Sequence, residues 1–281
     1  MMSENLTEEQ QTKRHVDAPT QRSNTDPRPA SLHQVKVVGI AINNLSEDEV
    51  LNAIDGLIAQ GETHYMVVVN AAKAVSASRD ERLRRVLSEA DIVTADGMSV
   101  VWASRLLGRP LKERVTGIDL FERLVARAED RGLKVYFLGA REEVVRALVE
   151  RFTAMYPNLL VAGYRNGYFD QAESDIVAQE IERSRADLLF VAMGSPAQEY
   201  WIRSNLSRTG VRFAMGVGGS FDHLSGRARR APLWMQRAGL EWLYRLLREP
   251  RRLWRRYLVG NTVFVWLVGK QLLKGDLQSD A

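Results

Sequence analysis

Short apolar runs of strand length recur along this chain: VKVVGIAI (35–42), HYMVVV (64–69), DIVTA (91–95), KVYFLG (134–139), LLVAGY (159–164), DLLFVAMG (187–194) and VRFAMGVG (211–218). Between most of them the hydrophobic positions fall at helical spacing, over roughly 46–60, 72–88, 97–107, 117–132, 141–155, 171–185 and 196–208. Near-continuous apolar strands alternating with amphipathic helices predict an α/β fold. Its sheet is mostly parallel and covered by helices on both faces. No internal repeat interrupts the pattern.

The two ends read differently. Residues 1–34 are rich in Ser, Thr, Gln, Asp and Pro and nearly free of periodic hydrophobics, which predicts a disordered polar tail. From 226 onward the rhythm becomes helix without strand. Leu240, Leu243, Leu246, Leu247, Trp254 and Tyr257 form an apolar stripe, while Arg245, Arg248, Arg252 and Arg255 recur at three- and four-residue spacing. Pro250 kinks this segment or starts a new helix. The expected organisation is therefore a tail (1–34), an α/β core (35–225) and a C-terminal helical appendage (226–281).

Charge sharpens that division. The whole chain carries +4, yet between residues 226 and 256 ten arginines meet only Glu241 and Glu249, a local net of +8 that leaves −4 for everything else. A basic terminal block on a mildly acidic body is a local device. The absence of cysteine excludes a disulfide framework and a thiolate site, and fits a reducing cytoplasm. No signal peptide is expected, because the first 34 residues lack an apolar segment. The longest apolar run, YLVGNTVFVWLVG (257–269), has 13 residues. Spanning a bilayer takes about 20, so this run suits the membrane surface and not a crossing.

In open parallel α/β folds ligands lie beyond the carboxyl ends of the strands. Asn70, Asp96 with Gly97, and Gly194 through Gln198 fall at such ends, as does the Gly-rich stretch GVGGSFDHLSG (216–226). Each also has an ordinary structural use. Asp96 is suited to cap the helix beginning at Gly97, and Asn70 to cap or turn the chain. Gln198 is suited to be a surface amide in a first helical turn. The four histidines (15, 33, 64, 223) lack metal-ligand spacing. There is no G-x-G-x-x-G, no Walker loop and no G-x-S-x-G elbow.

Taken in order, NAAKAV, ADGMSVVWASRLLGRPLKERVTGIDL, YFLGA, NGYF, DLLFVAMGSPAQEYWI, GVGGSFDHLSG and RRAPLWMQRAGLEWLYRLLREPRRLWRRYL resemble the WecG/TagA/CpsF glycosyltransferase family over about residues 36–270. The resemblance implies a Rossmann-like core with a C-terminal helical appendage. It implies an inverting transfer of a sugar, by default N-acetylmannosamine, from a UDP-sugar to a polyprenyl-diphosphate-linked sugar, with no cofactor and no metal. A glucosyl or uronic-acid transfer in exopolysaccharide synthesis is the alternative within the family. Asp96 matches the family's proposed catalytic base. Asn70 and Gln198 match its substrate-binding positions, and Arg245, Arg252 and Arg255 match appendage arginines expected to close over the site. The family's T-x-N motif is altered here, with Val68 at the Thr position.

Guanidinium groups are permanently charged and grip phosphate bidentately, so without a metal they are natural counter-charges for two diphosphates. The remaining arginines, with Trp234, Trp254 and Trp266, are expected at the inner face of the cytoplasmic membrane. A homo-oligomer built on the apolar stripe is compatible with this. The competing non-enzymatic reading makes the Arg/Trp segment a nucleic-acid grip. It lacks a recognised module in the core, so nucleic acid is not an expected partner.

Overall fold

The computed structural model describes residues 33–254 and 258–276. The first apolar run is not one strand but a tight hairpin, β1 (Gln34–Val37) and β2 (Ile40–Asn43), paired antiparallel and separate from the main sheet. Val38 and Gly39 turn the chain with φ of 51° and 76°. Two successive left-handed residues are what a two-residue hairpin needs to match the twist of its strands.

The remaining runs form the expected core. In chain order these are α1 (Glu47–Gln60), β3 (His64–Val69), α2 (Ala71–Arg79), α3 (Glu81–Glu89), β4 (Ile92–Ala95), α4 (Met98–Leu106), α5 (Gly117–Arg131), β5 (Lys134–Gly139), α6 (Glu142–Met155), β6 (Leu160–Arg165), α7 (Ser174–Ser184), β7 (Leu188–Ala192), α8 (Ala197–Thr209), β8 (Phe213–Gly216) and α9 (Ser220–Leu224). Strands β3 to β8 make a parallel six-stranded sheet in the order β4-β3-β8-β7-β5-β6. Strands β3, β4, β7 and β8 are buried along their whole length, as sheets covered on both sides require. The edge strand β6 is half exposed.

The predicted helix over 72–88 is two helices. Asp80 ends α2 and caps α3, its carboxylate accepting the Leu83 N–H at 3.1 Å. A carboxylate at an N-cap satisfies donors that a continuous helix would not leave free, so Asp80 favours the break.

One apolar layer packs α2, α4, α7 and α8 on one face of the sheet, and a second packs α1, α5, α6 and α9 on the other. Phe121 of α5 is the hub of the second layer. Its ring lies 4.4 Å from Phe190, 5.5 Å from Phe152 and 5.7 Å from Phe221. The helix after β7 (α8) and the helix after β5 (α6) lie on opposite faces, so the chain changes face between these two adjacent strands. Such a switch opens a crevice at the carboxyl ends of the strands.

The last helices are α10 (Leu233–Arg237), α11 (Glu241–Arg248), α12 (Pro250–Trp254) and α13 (Gly260–Asp276). The apolar run in α13 divides between two environments. Phe264 and Val268 are buried against the α2 layer, while Val265, Trp266 and Leu273 face outward. Gln271 fastens this helix to the hairpin. Its Oε1 accepts the Val38 N–H at 2.6 Å and its Nε2 donates to the Lys36 carbonyl at 2.9 Å. The run expected on a membrane surface is thus half core helix, because its apolar residues fall on opposite sides. Among the described residues no helix is long and apolar enough to cross a membrane.

Phe121→Ala removes the hub ring, and urea unfolding is expected to show a loss of about 3–5 kcal/mol. A loss under about 1 kcal/mol would mean that α5 is not anchored through this ring.

Candidate active site

Asn70 and Asp96 emerge side by side because β3 and β4 are in register, Val69 opposite Ala95. The Asp96 N–H continues the pairing by donating to the Val69 carbonyl at 2.9 Å. The cap of α4 is Gly97, with no side-chain bond, so Asp96 does not cap the helix that follows it. Its carboxylate turns instead to α5, where Oδ1 accepts the Gly117 N–H at 3.0 Å. A helix N-terminus carries free N–H groups and partial positive charge, and so holds the carboxylate in place. Oδ2 has no protein partner among the described residues, and Asp96 is half-buried, open to a substrate.

Asn70 does cap α2, its Oδ1 accepting the Lys73 N–H at 3.1 Å. This leaves its Nδ2 as a donor without a partner among the described residues. Val68, where the family pattern has Thr, points to the α5 side. A Cβ on Gly117 would stand 3.3 Å from Val68 Cγ2, so this methyl supports the turn that binds Asp96.

Gln198 is buried, 2% exposed, and both ends of its amide are taken up by protein. Oε1 accepts the Gly218 N–H at 3.0 Å and Nε2 donates to Glu199 Oε1 at 2.9 Å. Gly216 leaves it room: a Cβ there would sit 2.5 Å from Gln198 Nε2. Glu199 Oε1 also receives Lys73 Nζ at 2.7 Å. A continuous chain of contacts therefore joins the ends of β3, β7 and β8.

The appendage meets the core at the first turn of α5. Arg230 grips Asp119 with two nitrogens and donates through Nε to Glu241 Oε1 at 3.1 Å. Arg114 reaches the other Glu241 oxygen at 3.2 Å. Burial would push the Asp119 carboxyl up, but the Arg230 guanidinium and the Thr116 hydroxyl together hold it below its ordinary range. Arg245 stands exposed on α11, close enough to the Gly-rich turn to act on His223. Burial first, and the Arg245 charge second, lower the His223 imidazole. Among the described residues the Arg245 guanidinium makes no ion pair. Arg255 lies outside the described residues, as does the side chain of Arg252.

The geometry thus brings Asn70, Asp96, Gln198 and Arg245 to the same end of the sheet. It adds six residues not singled out from sequence: Lys73, Arg114, Asp119, Glu199, Arg230 and Glu241. All six lie inside the ordered motifs NAAK, RVTGIDL, QE, RRAP and EWLYRL. Charged residues embedded in otherwise apolar motifs were the available signal. Among the described residues no three His, Asp or Glu side chains cluster as a metal site would need.

The model of the glycosyl transferase WecG/TagA/CpsF family matches residues 35–278, and the chain belongs to this family. It is a glycosyltransferase. Three similar proteins are each named N-acetylglucosaminyldiphosphoundecaprenol N-acetyl-beta-D-mannosaminyltransferase. The one from Bacillus spizizenii is 40% identical over 200 residues, covering 71% of this chain and 76% of that protein. The one from Bacillus subtilis is 38% identical, covering 68% and 73%. The one from Staphylococcus aureus is 31% identical over 239 residues, covering 84% and 92%.

A carboxyl held below its ordinary value stabilises the fold above that value and loses the contribution as pH falls through the folded-state pKa. Relative to Asp119→Asn, the native chain should hold a constant margin in urea near pH 6. The margin should shrink as pH drops below the ordinary value of 3.8. A margin independent of pH would show that Asp119 does not latch the appendage as an anion.

Proposed function

We propose that this glycosyltransferase moves N-acetylmannosamine from UDP to an N-acetylglucosamine carried on polyprenyl diphosphate, inverting the anomeric centre without a metal. The observation that carries the mechanism is the Asp96 carboxylate, fixed through Oδ1 to Gly117 with Oδ2 open beside Asn70. Oδ2 takes the proton from the acceptor hydroxyl as its oxygen forms a bond to the anomeric carbon. The bond from that carbon to the β-phosphate oxygen breaks on the opposite face, and its electron pair leaves with UDP. Asn70 Nδ2 donates to a sugar hydroxyl. Gln198 acts from below, holding the Gly216–Gly218 turn against the substrates. The sugar and acceptor are those in the names of the similar proteins.

Negative charge grows on the departing β-phosphate, and the acceptor brings a second diphosphate. Arg245, with Arg252 and Arg255, supplies the counter-charge from the appendage. In this reading residues 35–225 are the catalytic core and 226–281 a covering and docking segment. The exposed Val265, Trp266 and Leu273 face of α13, with Lys270 beside Trp266, supports seating at the inner face of the plasma membrane, where the acceptor is held. A second copy covering this face is the oligomeric counterpart of the same apolar surface.

UDP release is the direct test, using a short-chain polyprenyl-diphosphate N-acetylglucosamine, a panel of UDP-sugars, and EDTA. Turnover is expected with UDP-N-acetylmannosamine, surviving EDTA. It should fall about 10²–10⁴-fold in Asp96→Asn and about 10²–10³-fold in Arg245→Ala. Transfer of glucose or a uronic acid instead would replace the sugar assignment, and undiminished turnover in Asp96→Asn would remove the base. Vesicles of anionic phospholipid should bind the protein less well after Trp266→Ser and at high salt. Equal binding by both proteins would separate α13 from the membrane contact.

A further inference from the structure

The Lys73–Glu199 pair has no evident reason to exist on grounds of stability. Its side chains are 5% and 1% exposed, and their nitrogen and oxygen lie 2.7 Å apart. Two buried ions lose more hydration than their attraction usually returns, and a matched apolar pair is often as stable. Glu199 Oε2 adds to the cost, since it is buried with no partner among the described residues.

What the pair does provide is direction. Glu199 Oε1 accepts from Lys73 Nζ and from Gln198 Nε2 at once. An amide side chain has two ends of nearly equal shape, and its hydrogen-bond partners decide which way it faces. With Nε2 committed to the carboxylate, Oε1 must face the Gly218 N–H. Gly218 turns there with φ of 52°. Lys73 fixes the other side, because it sits on α2 with its own N–H capped by Asn70. The carboxylate thus sets the Gly216–Gly218 turn relative to Asn70, across three strand ends.

We propose that Lys73 and Glu199 are positioning residues for sugar transfer: the buried pair orients Gln198, and through it the Gly-rich turn, relative to Asn70. This rests on the catalytic reading of Asn70 and Asp96 given above. Neither residue of the pair touches substrate.

The test uses the full chain and two double variants that each remove both charges. Lys73→Met/Glu199→Leu fills the space with apolar groups and keeps no acceptor for Gln198. Lys73→Met/Glu199→Gln restores a neutral acceptor at the same place. Two readouts are taken on each: hydrogen exchange of the Gly218 N–H, and kcat and KM for UDP release. The apolar double should melt within a few degrees of the native protein, lose Gly218 protection, and lose about 10²-fold in kcat, the scale of an ångström's misplacement. The Met/Gln double should recover protection and most of kcat.

Native kcat in the apolar double overturns the proposal whether or not Gly218 changes. So does a Met/Gln double that recovers nothing while remaining folded. If the native protein releases no UDP from any donor, the functional reading fails. Gly218 exchange in the two doubles then decides by itself whether the pair orients the turn. Should the apolar double not fold, the Met/Gln double is compared with Lys73→Met/Glu199→Ala, which likewise leaves Gln198 without an acceptor, and native protection in both overturns the proposal.

Discussion

The working face of this protein depends on the first turn of α5. Its Gly117 N–H holds the Asp96 carboxylate, its Gly117 faces Val68 closely enough that an added Cβ would crowd it, and its Asp119 holds Arg230 of the appendage. Two carboxylates thus share the positive end of one helix, each with a different assignment. Asp96 keeps an oxygen open, while Asp119 is closed by an arginine and a threonine hydroxyl. The same helix is pinned one turn further along by Phe121 in the aromatic layer. A shift of α5 would therefore move the open carboxylate and the appendage together, which makes that layer part of the site's precision.

The ten arginines near the C-terminus do not form one class. Arg230 is half-buried between two carboxylates that raise its already high pKa against the opposing effect of burial, so it stays charged as a structural bolt. Arg114, from the core, completes the bolt through Glu241. Arg245 is exposed and unpaired among the described residues, yet near enough to lower His223. A free guanidinium beside a Gly-rich turn at strand ends suits an anionic ligand that comes and goes. A paired one cannot serve that purpose without breaking the latch. The pairing pattern, more than the count of charges, separates architecture from chemistry.

Much of the α/β frame was legible in the sequence because its strands are buried on both faces and read as unbroken apolar runs. The exceptions have local causes. VKVVGIAI reads as one strand because nothing in its hydropathy marks Val38 as left-handed, and only Gly39 hints at the turn. The helix over 72–88 keeps its periodicity through Asp80, where a capping carboxylate breaks it. Asn70 and Asp96 were legible as strand-end residues, but the direction Asp96 faces depends on α5, twenty-one positions away in the chain. The Lys73–Glu199 contact joins residues 126 positions apart, and no local pattern encodes it. Gln198 shows the same limit: its place in a first helical turn suggests exposure, whereas the folding of Gly216 over it makes it buried.

Among the described residues the appendage is fastened both near α5 and along α13, and this constrains what it can do. At one end Arg230 pairs with Asp119 of α5 and Glu241 with Arg114 just before that helix; at the other, Phe264, Val268 and Gln271 join α13 to α2 and the hairpin. Arg245 lies between these fastenings, three residues past the α11 tryptophan at 242 and one turn from Glu241. It cannot swing far without opening the Glu241 pairs. Large lid-like excursions of α11 are therefore costlier than movements of the exposed side chain itself, and the position of the Arg245 charge is set mainly by where the latch holds α11. The outward faces of Trp266 and Leu273 lie beyond the second fastening, on a helix whose opposite side is core. A surface docked through α13 would thus be referred rigidly to α2, and through Asn70 at the head of α2 to the half-open Asp96 carboxylate beside it.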